Sequence, residues 1–166
     1  MGAGRVNETA NLACTVNGFT SGDWAPERNK TVERQLAEEL SRMDGKKFFS
    51  FLLWRLPQGK RLENVIRKVA SGKEPNNYIQ AAGRASALTI EVRKVDAAGE
   101  AHHWTIGRRE PEAPSGDTEI HWDSFTTTVS RREVFDSAAA AKVFSEYIRT
   151  GDVADVNYTT RPTLLG

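Results

Sequence analysis

The sequence predicts an α+β domain, with a mainly antiparallel sheet of about five strands and two to three amphipathic helices packed on it. Three patterns lead there. Apolar residues recur at helical spacing in 31–43, 60–71 and 136–151. From 86 to 129 they alternate instead with polar residues, and Asp96-Ala97-Ala98-Gly99 supplies a tight turn between two alternating runs. Together these read as α+β.

Taken in order, residues 1–28 are rich in Gly, Asn, Thr and Ser, so 1–24 read as a loosely ordered arm or one short strand. A single domain is expected over 25–160, with 161–166 as a tail. Val32, Leu36, Leu40 and Met43 form the stripe of a first helix, capped by Asn29 or Thr31 and ended by Asp44-Gly45. Lys47–Leu56 reads as a strand apolar on both faces, with Phe48, Leu52 and Trp54 on one and Phe49, Phe51 and Leu53 on the other. Such a strand belongs at a sheet's centre. A second helix is expected over Lys60–Ser71, its apolar stripe at Leu62, Val65, Ile66 and Val69.

Leu88, Ile90 and Val92 define the next strand, and His102, Trp104 and Ile106 its hairpin partner. Ile120 and Trp122 begin a further strand. The apolar phase slips before Phe125, which predicts a bulge, and Thr126–Val129 continue it. Asp136 caps a last helix with Ala140, Ala141, Phe144, Tyr147 and Ile148 on one stripe and Gly151 at its end. Val153, Val156 and Tyr158 close with a short strand.

Composition narrows the function. Of 166 residues, 39% are hydrophobic and 27% charged, which excludes a membrane protein and a wholly disordered chain. A net charge of +1 gives no global field toward nucleic acid or lipid. The lone Cys14 forms no internal disulfide, and the first residues lack the apolar core of a secretory signal, so a cytoplasmic protein is expected. Locally the charge is uneven. Residues 46–73 hold eight Lys or Arg against Glu63, whereas 110–124 hold Glu110, Glu112, Asp117, Glu119 and Asp123 and no Lys or Arg. One acidic and one basic surface are therefore available to steer a partner.

Catalytic patterns do not emerge. No Gly-rich phosphate loop or nucleophile elbow occurs, and the paired carboxylates sit in no cleft-forming spacing. His103 and His121 fall on strands expected to be hairpin neighbours, near Asp123, a weak basis for a metal. No enzyme, cofactor or metal is expected. The basic stripe of Lys60, Arg61, Arg67 and Lys68 leaves open a second class, a nucleic-acid or membrane-surface adaptor.

The stretch from Val134 to Tyr158, with its Ala-containing helix ending in Thr150-Gly151 and a following strand, resembles the closing signature of bacterial polymorphic-toxin immunity proteins. The hairpin at Trp104, the loop 110–117 and the strand at Trp122 resemble that family's layout too. Tyr158 stands where the family usually carries Trp, and 152–155 lack its Pro. The resemblance implies a non-catalytic inhibitor that stays in the cytoplasm, monomeric until it binds its toxin 1:1. Taken together with an Arg- and Ala-rich composition of actinobacterial type, the resemblance further implies immunity against an NAD-hydrolysing toxin. Such a toxin must bind a pyrophosphate, so its pocket offers positive charge or N–H groups. The acidic set Glu110, Glu112, Asp117, Glu119 and Asp123 is then the expected toxin-binding surface, and Lys60, Arg61, Arg67 and Lys68 the alternative.

Overall fold

A computed structural model describes residues 30–55, 76–109, 115–153 and 157–163, together with the backbone of 12–16 and 19–21. Its elements, in chain order, are β1 (Leu12–Val16), β2 (Phe19–Ser21), α1 (Val32–Ser41), β3 (Ser50–Arg55), β4 (Tyr78–Arg84), β5 (Ala87–Val95) and β6 (Ala101–Arg108). They continue with β7 (Asp117–Trp122), β8 (Phe125–Ser130), α2 (Ser137–Thr150) and β9 (Tyr158–Pro162). Seven strands form one sheet in the order β2-β1-β3-β4-β5-β6-β9, every pair antiparallel, and β7 and β8 form a separate two-stranded sheet. The α+β class is as expected, with a main sheet wider than five strands.

Both helices cover one face of this sheet. The Thr31 side chain caps α1 by accepting the Arg34 N–H at 3.2 Å, and Leu36 and Leu40 are fully buried. Asp136 caps α2 through the Ala139 N–H at 2.8 Å, and Gly151 ends it at φ 75°, a left-handed conformation that glycine adopts without a Cβ clash. Phe144, Tyr147 and Ile148 of α2 then meet Phe51, Leu53, Ile79, Ile90 and Ile106 of the sheet. Phe51 and Phe144 lie 5.7 Å apart between ring centroids.

The third strand starts later than its sequence suggests. Asp44 Oδ1 accepts the N–H groups of Lys46, Lys47 and Phe48, folding 44–48 into a turn, and these bonds hold the carboxyl below its usual range. Phe48 is thereby diverted to the helix-side core rather than sharing a face with Leu52 and Trp54. As expected, β3 is an interior strand with both faces buried.

Four other expectations change. The phase slip at Phe125 is a hairpin turn and not a bulge, since Trp122 pairs with Phe125 around Asp123 and Ser124. Asp123 has φ 54°, the sign that a two-residue hairpin turn requires at its first position. Residues 1–24 contribute two strands to the main sheet. At the other end the tail begins too early, because Arg161 and Pro162 belong to β9. Glu133, 6% exposed, accepts from Arg161 Nε at 2.7 Å and from Nη2 at 2.9 Å, which ties this strand down. Val153 packs in the core after α2 and the last strand starts at Tyr158. The helix expected over Lys60–Ser71 lies outside the described residues.

Candidate partner-docking surface

The β7–β8 hairpin lies against the sheet on the side opposite the helices. Register makes it two-faced. Ile120 pairs with Thr127 and Trp122 with Phe125, so these four residues share a face with Val129. Ile120 and Val129, 2% and 3% exposed, seal it to the sheet. Gly83 permits the close approach, because a Cβ there would come within 2.9 Å of Ile120 Cγ2 and within 2.4 Å of the Ala87 carbonyl oxygen. The turn is pinned as well, since the Asp123 N–H donates to the Gly45 carbonyl at 2.8 Å.

At the hairpin's end this apolar face outruns its cover. Phe125 is 57% exposed, the large hydrophobic side chain most open to solvent among the described residues. It stacks on Trp122 at 4.8 Å between centroids, and Phe49 backs Trp122 at 6.3 Å. Trp122 also donates its indole N–H to Thr127 Oγ1 at 3.0 Å. Phe125 is therefore a braced aromatic knob, held by neighbours in the free protein.

The described acidic residues lie on the same hairpin as this knob. Asp117 and Glu119 alternate onto the hairpin's other face with His121, and Asp123 occupies the turn beside Phe125. All are exposed. The field is not purely negative, because Lys46 and Arg84 share a shallow 210 Å³ depression with Asp44, Glu119 and Asp123. Glu110 and Glu112 lie outside the described residues, as do Lys60, Arg61, Arg67 and Lys68. The structure thus brings together three of the five acids, and adds Phe125 and Trp122, which sequence reading had treated as ordinary strand residues. The signal was the phase slip itself, which put two aromatics on either side of a two-residue turn.

The histidines do not converge. β6 pairs with β5 and β9 rather than β7, so His103 and His121 are not hairpin neighbours. His103 meets the Tyr78 ring edge-on, while His121 contacts Thr126 Oγ1 at 3.1 Å on the hairpin's outer face. His102 faces the helix side of the sheet, where a groove of about 730 Å³ runs past Trp104, Val153 and the Lys94–Asp152 ion pair. Its Nε2 lies 2.9 Å from Asp96 Oδ2, and Asp96 Oδ1 accepts the N–H groups of Ala98 and Glu100. This carboxyl, held below its usual range chiefly by His102, latches the hairpin turn. Asp96, Glu100 and His102 place ligand atoms within 4.8 Å of one another, all of them exposed.

No family model, curated protein or solved structure matches this chain. Among the described residues, no helix is long and apolar enough to cross a membrane.

Proposed function

We propose that the protein is a cytoplasmic, non-catalytic immunity factor that binds a secreted toxin and covers its active site. One observation carries the reading: a braced aromatic knob, Phe125 on Trp122, stands open to solvent at the tip of a hairpin whose turn carries Asp123 and whose outer face carries Asp117 and Glu119. Large aromatics preassembled in this way serve as interface anchors, because little side-chain freedom remains to be lost on binding. Carboxylates at the rim steer the approach of a basic surface and fix its orientation. A pocket built for the pyrophosphate of NAD is such a surface.

The toxin class follows from the resemblance of Val134–Tyr158 to immunity proteins, and it is that of the mycobacterial necrotizing toxin, an NAD-hydrolysing enzyme. The test is size-exclusion chromatography with an NAD-hydrolysing toxin of that class, together with its NAD hydrolysis. A 1:1 complex at micromolar concentration and loss of hydrolysis at equal stoichiometry are expected. Separate elution with hydrolysis undiminished would refute the proposal.

A further inference from the structure

Beside the aromatic knob, the sheet and the hairpin enclose a small notch. It measures about 80 Å³ and is lined by Gln80, Ala82, Thr89, Glu91, Trp122 and Thr127. One water-sized group needs about 10–15 Å³, so the notch admits several. Register accounts for the lining. Gln80 pairs with Glu91, and Ala82 with Thr89, which turns all four to the hairpin side of the sheet. Trp122 and Thr127 arrive from the hairpin's inner face.

One group of this notch is an acceptor alone, the Glu91 carboxylate, and among the described residues it makes no hydrogen bond or ion pair. Thr89 is 4% exposed, and its enclosed Oγ1 has no hydrogen-bond partner among the described residues. The available N–H groups are already committed, that of Trp122 to Thr127 Oγ1 and that of Gln80 to Ser50 Oγ at 2.9 Å. Burial pushes the Glu91 carboxyl above its ordinary 4.5, and Arg161 opposes this more weakly because Glu133 holds its guanidinium. A half-buried carboxylate without a hydrogen bond costs free energy, and a donor-rich cation entering from outside would offset that cost.

We infer that the notch receives the guanidinium of an arginine on the docked partner, with Glu91 accepting its N–H groups against the Trp122 ring. Arginine suits the site better than lysine, because its planar group offers several donors and packs on an indole face. The inference rests on the docking reading for the source of the arginine, and on the notch alone for its chemistry.

Nα-acetyl-arginine amide is the probe, and its neutral citrulline analogue is the control. With the Trp122 indole N–H resonance assigned through Trp122→Phe, a saturable shift with the arginine compound and none with citrulline is expected. Glu91→Gln should weaken binding at least about tenfold. A second readout separates function from folding. Glu91 binds its proton more tightly in the folded state, so its contribution to stability falls as pH rises through the window above 4.5. Glu91→Gln should therefore raise Tm at neutral pH, a gain that vanishes below 4.5. Equal shifts with citrulline, or unchanged arginine binding by Glu91→Gln, would overturn the inference. Because the probe replaces the partner, such a failure leaves toxin binding to be judged by its own experiment.

Discussion

The two faces of one sheet are finished in different ways. On one, α1 and α2 bury Phe51, Leu53, Ile79 and Ile90 completely under Leu36, Leu40 and Phe144. On the other, the β7–β8 hairpin brings Ile120 and Val129 down as its anchors, leaves Phe125 in solvent, and encloses a notch with Glu91 in its lining. A helix buries a whole stripe over three or four turns, whereas a two-stranded hairpin buries every second residue and keeps the rest free. The helix face carries stability, and the hairpin face leaves side chains in solvent, where the proposed partner would meet them.

Mutations that separate folding from binding sharpen this comparison. The largest effect is expected from Phe144→Ala, which should cost about 3–5 kcal/mol in denaturant unfolding through the cavity it leaves against Phe51. Phe125→Ala should do the reverse. It should lower toxin affinity by about 2 kcal/mol or more in calorimetry, while unfolding changes by less than about 1.5 kcal/mol, the worth of its stack on Trp122. A loss of stability as large as that of Phe144→Ala would erase the distinction between the faces. Next comes Asp136→Ala, which removes the bond to the Ala139 N–H and should cost about 1 kcal/mol of stability with affinity untouched. Smallest are Glu119→Gln and Asp123→Asn, the latter keeping a residue that tolerates positive φ at the turn. Each should change affinity by less than about 1 kcal/mol, mostly by slowing association, and the difference should fade in high salt. A salt-insensitive rise in dissociation rate would place these carboxylates in the buried centre of the interface instead.

Much of the fold was legible in the residues because it is decided locally. The stripe Val32, Leu36 and Leu40, the caps Thr31 and Asp136, and Gly151 at the end of α2 express preferences settled within a turn or two of helix. The alternation through Leu88, Ile90 and Val92, the Asp96–Gly99 turn and the return through Trp104 likewise fixed the β5–β6 hairpin. Tertiary structure alone decided the rest. Tyr78–Arg84, with Gln80, Ala81, Ala82 and Gly83 in its middle, has little strand preference of its own, yet it lies between β3 and β5. Whether β7 joined β6 or folded back on β8 depended on which edge of the sheet β9 would take, a choice between contacts far apart in sequence. That choice set His103 and His121 apart, set Trp122 against Phe49, and gave Glu91 a notch. Pairing between distant strands is governed by loop closure and by which edges remain open, and no run of neighbouring residues records either.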